Sequence, residues 1–419
     1  MNNEQAAAIL QDIFKQAVDS ARAGPVIPPN LPEKPRGRCV VIGAGKASAA
    51  MAAAVDAAWP DVDMSGVVVT RYDHSVPAGR IRILEAAHPV SDAMSETAAM
   101  LIVEALRGLT SDDLVLALIS GGGSALMALP ATGLTLADKQ NITRALLHSG
   151  ASIKEMNLVR RHLSAVKGGK LAVLAQPARI VSLIISDVPG DNPTDVASGP
   201  TVADGSTPQD ALRVMARYGI PVTQPVRELL NTSYSPVENV PNSEVRLIAT
   251  PAMALQAASA AARQHGLTPL VLGDAIEGES REVAVVMAGI ARSVKRYGHP
   301  VAGPAVLLSG GETTVTVNKG QSGKGGRNTE FLLSLACALQ GENGIWAIAG
   351  DSDGIDGTED AAGAMVFPDT LIRGKIRGLN AINYLDGHDS YSYFHALDDL
   401  LITGPTLTNV NDFRAILIA

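Results

Sequence analysis

Residues 40–48 read Val40-Val41-Ile42-Gly43-Ala44-Gly45-Lys46-Ala47-Ser48. The apolar run is typical of a buried strand, the glycines of a tight turn and the alanines that follow of a helix. A strand that enters a helix through glycines directs main-chain N–H groups and a helix N-terminus at one point, where an anion is stabilised. The stretch therefore predicts an α/β domain with an anion site at this turn.

The turn departs from both familiar glycine motifs. The dinucleotide-binding pattern G-x-G-x-x-G has Ser48 where its third glycine should stand. The phosphate-binding pattern G-x-x-x-x-G-K-[ST] has Val40 in place of its first glycine and Ala47 in place of its Ser or Thr. Neither motif is complete, so Lys46 is the feature of the turn that still needs an explanation. A lysine at this position is better suited to binding a phosphate than to supporting hydride transfer.

Strand-like and helical segments alternate along most of the chain. The predicted strands are 39–42, 66–70, 81–86, 114–120, 179–186, 245–250, 269–273, 304–309 and 345–349. The predicted helices are 1–23, 47–58, 94–106, 153–174, 252–264, 279–297 and 329–340. This alternation predicts parallel sheets covered by helices on both faces. Because residues 232–243 have the composition of a linker, we expect two Rossmann-like αβα sandwich domains, 1–240 and 241–419, with an active-site cleft between them.

Composition excludes several classes of function. The 419 residues carry a net charge of -8, which argues against nucleic acid as a partner and requires any anion site to be built locally. The two cysteines, Cys39 and Cys337, have no C-x-x-C spacing, so neither a disulfide framework nor a zinc site is expected. No run approaches the roughly 18 uncharged apolar residues of a membrane span. We expect a cytoplasmic protein without a membrane partner.

Glycine-rich loops follow two predicted strands and open one predicted helix. Consecutive glycines cost backbone entropy, but they allow main-chain N–H groups to surround an oxyanion; the alternative is a turn where a helix packs closely on a strand. The first and third loops contain Ser120, Gly121, Gly122, Gly123, Ser124, Lys324, Gly325, Gly326, Arg327 and Asn328, and the second contains Gly310, Gly311 and Glu312. With Gly43 and Gly45, these are our candidates for binding phosphate or carboxylate.

Carboxylates also follow the predicted strands. Asp187 stands just past strand 179–186, where it can act as a base or hold Mg²⁺, and Asp191 follows four residues later. Asp351 and Asp353 lie in a loop that fails the calcium-binding pattern, because Asp356 replaces the required glycine. Turn chemistry alone is the alternative for all of these acids. We keep Asp191, Asp351 and Asp353 as candidate metal ligands.

The segment 155–167 has a basic face. Helical spacing places Arg160 and Lys167 on one face, which either binds an anion or is simply solvated. The histidines His74, His88 and His162 form no triad or metal pair and are interpreted as surface or core residues. No G-x-S-x-G motif indicates a nucleophilic serine.

Together the motifs resemble those of the class II glycerate kinases. The resemblance is carried by Gly43–Lys46, Ser120–Ser124, Asn157–Ser164, Ser186–Asp191, Ser198–Thr201, Ser309–Thr313, Gly325–Asn328 and Gly350–Gly354. It extends from about residue 6 to residue 417, and the second half is similar to the MOFRL domain of those enzymes.

The resemblance implies a kinase that uses ATP and Mg²⁺ to phosphorylate D-glycerate at its 2-hydroxyl, feeding glycerate or tartrate-derived carbon into glycolysis. Similar sequences are also labelled hydroxypyruvate reductase, which is the main alternative; a non-catalytic ligand-binding protein is the third. A reductase should have a complete dinucleotide fingerprint and an acid at the end of its second strand. The second predicted strand, 66–70, is instead followed by Arg71. A basic residue there could bind the 2′-phosphate of NADPH, so only NADPH stays open as a reductase cofactor.

In the kinase interpretation, Lys46 neutralises charge on the transferring phosphoryl group and Asp187 orients or deprotonates the 2-hydroxyl. The glycine loops and the loop of Arg327 hold the carboxylate and the ATP phosphates, while Mg²⁺ is bound mostly by ATP. The sequence does not say which loop takes which substrate, and it leaves a homodimer open.

Overall fold

A computed structural model describes residues 1–231, 237, 239–317 and 323–419. The chain divides into two compact units: residues Ala23–Ile248, here called the sheet-1 unit, and Met1–Arg22 with Ala249–Ala419, here called the sheet-2 unit. The domain limits at residues 240 and 241 stay a prediction, since much of the expected linker lies outside the described residues.

The elements follow the predicted alternation closely. The strands are β1 Cys39–Ala44, β2 Met64–Arg71, β3 Ile81–Ala86, β4 Leu114–Ser120, β5 Arg179–Ile185, β6 Ser243–Ala249, β7 Thr268–Gly273, β8 Gly278–Glu279, β9 Ala305–Gly311, β10 Thr313–Thr314, β11 Ile345–Asp351, β12 Gly363–Val366, β13 Leu400–Leu401 and β14 Asp412–Ile418. The helices are α1 Asn3–Asp19, α2 Ala23–Val26, α3 Ser48–Ala58, α4 Ala93–Ala105, α5 Gly123–Leu126, α6 Leu136–Leu147, α7 Ile153–His162, α8 Lys170–Leu174, α9 Pro208–Arg217, α10 Gln224–Asn231, α11 Pro251–Gln264, α12 Ser280–Tyr297, α13 Arg327–Leu339, α14 Thr370–Ile376, α15 Ala381–Asp386 and α16 Ser390–Leu397.

Sheet 1 has the strand order β3-β2-β1-β4-β5-β6, which is the order of dinucleotide-binding folds. The strands from β3 to β5 pair in parallel. Every residue of β1 and β4 is buried, because helices cover both faces of a parallel sheet. The predicted Rossmann-like fold is thus confirmed. Strand β6, expected to open the second series, instead lies beside β5.

The predicted single helix over 153–174 is wrong. Helix α7 ends at His162, and α8 begins only at Lys170. Between them Gly168 and Gly169 have φ values of 62° and 80°, a left-handed conformation that interrupts a right-handed helix. Lys167 therefore lies in the connection between two helices rather than on a helical face.

Sheet 2 has the order β13-β12-β11-β14-β9-β7. Strands β7 and β9 are parallel, as predicted, but β14 runs antiparallel to both of its neighbours, β9 and β11. The prediction of parallel pairing is wrong in this part of sheet 2: β12 and β14, neither of them among the predicted strands, both pair antiparallel with β11. Antiparallel strands can be joined without a crossover helix, so the alternation of strands and helices does not reveal them. Helix α1 buries Leu10, Ile13 and Phe14, and the Phe14 ring meets that of Phe413 edge to face at 5.7 Å.

Within the described ranges, no helix combines the length and the apolar character needed to cross a bilayer.

Candidate functional site

The winding of sheet 1 changes direction between β1 and β4. Ligands of open parallel sheets bind beyond the carboxyl ends of the strands at this point. Strand β1 ends at Ala44 and β4 at Ser120, so the turn with Lys46 and the loop 121–124 flank the crevice. The side chain of Lys46 is half-buried there.

The amides of the β1–α3 turn are used inside the fold. The N–H of Gly45 donates to the carbonyl of Val69 at 3.1 Å, and that of Lys46 to the carbonyl of Gly121 at 2.9 Å. The N–H of Ala47 donates to Oγ of Ser120 at 3.0 Å. The expectation that the main-chain amides of this turn bind an anion is therefore wrong. Its contribution to the crevice is the side chain of Lys46.

The glycines of this turn serve close packing. A Cβ on Gly43, which lies within β1, would stand 2.4 Å from the carbonyl oxygen of Leu118, and one on Gly45 would stand 2.1 Å from Oγ of Ser120. The hydroxyl of Ser120 is fully buried and holds the start of α3 through Ala47. These contacts explain the residue types of Gly43, Gly45 and Ser120 without a ligand.

The loop after β4 is different. The N–H groups of Gly122, Gly123 and Ser124 donate to no acceptor among the residues that the structure describes. Gly122, at the start of α5, has φ 78°, a left-handed conformation. Successive amides in such a turn can form a concave site for an anion. A Cβ on Gly123 would meet the carbonyl oxygen of Ala44 at 2.6 Å, so the loop also needs glycine for packing. The three amides fit an oxyanion.

His88 lies against this loop. A Cβ on Gly122 would stand 3.1 Å from Cδ2 of His88, 3.2 Å from its Nε2 and 3.5 Å from Cγ of Lys46. Imidazole and lysine therefore line the same side of the loop. No metal pair or triad in the sequence singles out His88, which was interpreted as a surface or core residue; its place beside the loop is visible only in the structure.

Side-chain hydrogen bonds connect the loop to α7. Oγ of Ser124 lies 2.8 Å from Oγ of Ser198, which donates to Oδ1 of Asn157 at 3.0 Å. Arg160 donates to the same oxygen at 3.4 Å. Ala197 and Ser198 have φ of 51° and 62°, values that are unfavourable for residues other than glycine and that concentrate at functional sites.

Lys167 and Lys139 lie behind this chain of contacts. Nζ of Lys167 donates to the carbonyl of Met127 at 3.0 Å, and Nζ of Lys139 donates to that of Leu129 at 3.4 Å. Burial lowers the pKa of Lys139 to about 7 and that of Lys167 well below its usual value. The sequence predicted an anion-binding role for Lys167 and Arg160 but gave no signal for Lys139, which lies on α6.

The acids of this unit follow β5. Asp187 is the second residue past the end of β5 and is half-buried, as is Asp191, which has φ 52°. Asp195, in the same loop, is buried and forms an ion pair with Arg161 at 3.4 Å. The structure thus leaves Asp187 and Asp191 at the strand-end edge where catalytic carboxylates are expected.

In the sheet-2 unit, Arg327 is held by three carboxylates. Its guanidinium donates to Asp412 at 2.8 Å, to Asp351 at 2.8 Å and to Glu312 at 2.5 Å. Burial opposes the charge of Arg327, but these carboxylates outweigh burial and raise its pKa well above the usual value. Arg327 is charged at every working pH.

The sheet register brings those acids together. Asp351 ends β11 and pairs with Asp412 at the start of β14, which pairs in turn with Gly311 at the end of β9. Glu312 follows Gly311 directly. Because β14 is antiparallel, its first residue meets the carboxyl ends of both neighbours. The sequence predicted Asp351 and Glu312 but missed Asp412, for which the only signal is its place before the apolar run 413–418.

Asp356 fixes the start of α13. Its carboxylate accepts the N–H groups of Asn328 at 3.0 Å and Thr329 at 2.9 Å. Asn328 also donates its side-chain amide to Asp412 at 2.8 Å, and Arg414 donates to Asp412 at 2.8 Å. These contacts orient the first turn of α13 from inside the protein.

The glycines near Arg327 are also packing residues. Gly310 and Gly311 belong to β9 rather than to a loop, and a Cβ on Gly311 would stand 2.2 Å from the backbone N of Ile276. A Cβ on Gly325 would stand 2.5 Å from Oγ of Ser390. Likewise, one on Gly326 would stand 2.4 Å from the carboxylate of Asp356. Lys324 is exposed, with Glu359 3.8 Å from its Nζ.

Asp351 and Asp353 hold their own loop. Oδ1 of Asp351 accepts the N–H of Asp353, and Oδ1 of Asp353 accepts the N–H of Ile355, both at 3.0 Å. Among the described residues, no three His, Cys, Asp or Glu side chains are arranged to hold a metal ion.

Comparisons with known proteins cover the whole chain. The model of a domain family of unknown function, DUF4147, matches residues 9–231, and that of the MOFRL family matches residues 305–412. A putative hydroxypyruvate reductase of Agrobacterium vitis is 61% identical over 418 residues, 100% of this chain and 95% of that protein. The D-glycerate 2-kinase of Thermotoga maritima is 40% identical over 403 residues, 96% and 95% of the two chains.

The fold is likewise shared with a solved structure. The crystal structure of a glycerate kinase from Thermotoga maritima matches with a TM-score of 0.90 and 38% identity, covering 99% of this chain and 100% of that one. The relatives therefore bear two names, a reductase and a kinase, between which the chemistry of the site has to discriminate.

Proposed function

The chain belongs to the glycerate 2-kinase family, and we propose that it transfers the γ-phosphoryl group of ATP to the 2-hydroxyl of D-glycerate. The products are 2-phosphoglycerate, ADP and a proton. Phosphoryl transfer relies on positioning and on neutralising negative charge rather than on covalent chemistry by the protein.

One observation carries the proposal. At the switch point of sheet 1, the side chain of Lys46 lies next to a loop whose amides, those of Gly122, Gly123 and Ser124, donate to no acceptor among the described residues. Amides aimed at a fixed point stabilise a developing oxyanion, and a lysine beside them supplies positive charge where the phosphoryl group carries its negative charge. Together they provide the donors and the charge that a kinase requires.

The same crevice is unsuited to a nicotinamide dinucleotide. Such a cofactor places its pyrophosphate on the amides of the turn after the first strand. Here the amides of Gly45, Lys46 and Ala47 are bonded within the fold. The turn therefore offers the pyrophosphate no donors, which favours the kinase over the reductase that gives some relatives their name.

Asp187 is the proposed catalytic carboxylate. From the end of β5 it would accept the proton of the 2-hydroxyl or orient that hydroxyl toward the γ-phosphorus. For Mg²⁺, Asp191 and the buried Asp351 and Asp353 are the candidate ligands, since Mg²⁺ uses one or two carboxylates plus phosphate oxygens. When bound with ATP, the ion neutralises charge on the phosphates.

Arg327 is the proposed catalytic residue of the sheet-2 unit. Three carboxylates fix its planar guanidinium, and its raised pKa keeps the group charged, so it is preorganised to contact phosphate oxygens. Lysine in its place would keep a charge but could not bridge Asp351, Asp412 and Glu312 together. We therefore expect Arg327→Lys to lower kcat by about 100-fold.

The test measures both candidate reactions with the same preparation. D-Glycerate with Mg-ATP is assayed by ADP release, and hydroxypyruvate is assayed with NADH and with NADPH. We expect ADP release with D-glycerate and no oxidation of either nucleotide. We also expect Lys46→Ala to lower kcat by about 10³-fold without changing the melting temperature.

Lys154→Ala is the matched control, because Lys154 is an exposed lysine of α7 in the same unit. It should retain full activity. Oxidation of NADH or NADPH by hydroxypyruvate without release of ADP would overturn the kinase assignment, and near-normal turnover of Lys46→Ala would overturn the role of Lys46.

A further inference from the structure

Three cationic side chains gather beneath the loop that follows β4: Lys139, Arg160 and Lys167, here called the basic cluster. Lys139 is 8% exposed and Lys167 is 1% exposed. Their ammonium groups donate to the main-chain carbonyls of Leu129 and Met127. Arg160 is half-buried.

No carboxylate of the described residues forms an ion pair with Lys139, Arg160 or Lys167, whereas the neighbouring Arg161 pairs with Asp195 and Asp204. The pKa of Lys139 falls to about 7 through burial first and then through Lys170 and Arg160, with Glu96 acting in the opposite sense. Buried like charges of this kind destabilise a free protein and persist where a function requires them.

The basic cluster is connected to the crevice. Nζ of Lys167 also donates to the carbonyl of Ala197 at 3.4 Å, beside Ser198. Ser198 contacts Ser124, whose amide belongs to the loop that is open to an oxyanion. Arg160 donates to Oδ1 of Asn157, and the same oxygen accepts a hydrogen bond from the hydroxyl of Ser198. An anion bound at Ser124 would thus lie on the hydrogen-bond paths from Arg160 and Lys167, and its charge would favour the protonated forms of the buried lysines, whose pKa values burial lowers.

We propose that the basic cluster is the subsite for the carboxylate of D-glycerate, with the half-buried Arg160 and Ser124 touching the substrate. Lys139, Lys167 and Ser198 are positioning residues, because they are too buried to touch it and act through the groups that do. The proposal rests on the proposed function for the identity of the substrate.

The chemistry of the surrounding groups favours a small hydroxy acid. A guanidinium recognises a carboxylate, and hydroxyl and amide side chains recognise the hydroxyls of the same molecule. A triphosphate would bring several charges and a Mg²⁺ ion to a place where two of the three cations have no exposed face. A single carboxylate compensates the buried charge without requiring Lys139 or Lys167 to move.

Lys139→Met tests the proposal through three readouts, the two KM values and the melting temperature, which a merely structural role would move together. We expect the KM for D-glycerate to rise at least tenfold and the KM for ATP to stay within twofold. The melting temperature of the free protein should stay equal or rise, because an uncompensated buried charge has been replaced by an apolar side chain. Lys154→Met, the same change at an exposed lysine of α7, should alter none of the three.

Arg160→Gln is the second variant, since Arg160 is half-buried and its loss should leave folding intact. It should also raise the KM for D-glycerate at least tenfold. An unchanged KM for D-glycerate in both variants, or a rise confined to ATP, would overturn the proposal. A fall in the melting temperature of Lys139→Met with unchanged KM would make the cluster structural.

Direct binding separates this proposal from the proposed function. D-Glycerate is titrated calorimetrically into the wild-type protein and into Lys139→Met without ATP. Binding that weakens at least tenfold in the variant supports the subsite even if no phosphorylation is found. Equal binding to both proteins, in an enzyme that does phosphorylate D-glycerate, overturns the subsite and leaves the kinase assignment intact.

Discussion

Gly122 is the residue at which packing and chemistry of the crevice meet. Its φ of 78° disfavours any side chain, and a Cβ would crowd the imidazole of His88 at 3.1 Å, while Cγ of Lys46 would stand at an ordinary contact distance of 3.5 Å. We expect Gly122→Ala to lower kcat at least tenfold because it displaces His88 beside Lys46, at a stability cost of about 1 kcal/mol. Steady-state kinetics and urea unfolding measure the two effects.

Gly150→Ala provides the matched control for that variant. Gly150 has nearly the same φ, 76°, but no heavy atom within 4 Å of an added Cβ. It should lose a similar stability and no activity. Equal kinetic effects from the two substitutions would mean that backbone strain alone, rather than contact with His88 and Lys46, lowers the rate.

Lys139 gives the free protein a distinctive dependence of stability on pH. Its pKa is about 7 in the folded state, through burial first, and about 10.4 when unfolded, so the unfolded state binds more protons between these values. Stability therefore rises with pH over this window, by up to about 1.4 kcal/mol per pH unit for one proton. Below pH 7 both states are protonated and the whole cost of burial is present.

Lys139→Met removes this titration while leaving the neighbouring Lys167, Lys170, Arg160 and Glu96 in place. We expect the variant to exceed the wild type in free energy of unfolding at pH 7, and this advantage to shrink by pH 9.5. Urea unfolding of both proteins at the two pH values measures it. An advantage that does not change with pH would show that Lys139 keeps an ordinary pKa.

At the scale of elements, α13 depends on a cap supplied from another part of the chain. Asp356 accepts the N–H groups of Asn328 and Thr329, next to the helix's first residue, Arg327. We expect Asp356→Ala to lower the free energy of unfolding by about 2 kcal/mol, the upper end for the loss of a helix cap. It should also lower kcat at least tenfold, because the first turn of α13, which begins at Arg327, is no longer held in place. Urea unfolding and steady-state kinetics measure the two effects.

Thr207→Ala removes the cap of another helix and serves as the control. The hydroxyl of Thr207 accepts the N–H of Asp210 at 3.3 Å at the start of α9. The substitution should cost about 1 kcal/mol of stability and leave kcat unchanged. A kcat loss in Thr207→Ala as large as that in Asp356→Ala would tie the kinetic effect to stability rather than to Arg327.

The elements were predictable from the sequence to the extent that they are local. The alternation of apolar runs with helical patterns gave β1, β4 and β5 nearly to the residue, because a fully buried strand has an unmistakable composition. Strand β14 was missed, because its place between β9 and β11 depends on pairing between segments that are far apart in the sequence. The break between α7 and α8 depends on two adjacent glycines whose φ a sequence does not show.

Site residues were predictable where strand ends decide them and not where packing does. The strand-end rule found Lys46, Asp187 and Asp351. It could not tell that the amides at Gly45 are consumed inside the fold, or that Gly311 is a glycine because Ile276 passes within 2.2 Å of where its Cβ would stand. A glycine pattern in a sequence indicates that some group lies close to the backbone, but it does not show whether that group is a ligand or another part of the protein.

At the scale of the whole molecule, the net charge of -8 opposes the approach of anionic substrates. The positive potential has to be local, as the composition predicts, and the sheet-1 unit supplies it at Lys46 and in the basic cluster. Buried charges are screened by salt much less than exposed ones. The affinity of such a site therefore depends on burial rather than on the charge of the protein surface.

Each compact unit contains one of the two tryptophans, which allows the unfolding of the units to be followed separately. Trp59 lies in the sheet-1 unit and Trp346 in the sheet-2 unit, and both are buried. The units have hydrophobic cores of their own around sheet 1 and sheet 2. In Trp346→Phe the fluorescence reports the sheet-1 unit, and in Trp59→Phe it reports the sheet-2 unit.

D-Glycerate at 100 times its dissociation constant stabilises the unit that binds it by about 2.7 kcal/mol. Because the basic cluster lies wholly within Ala23–Ile248, we expect D-glycerate to raise the melting midpoint reported by Trp59 and to leave that reported by Trp346 unchanged. Adding Lys139→Met to Trp346→Phe should cut the stabilisation at the same D-glycerate concentration to about 1.4 kcal/mol or less, since binding weakens at least tenfold. Equal shifts of the two midpoints would show that the units unfold as one, and a shift confined to Trp346 would place the carboxylate in the other unit.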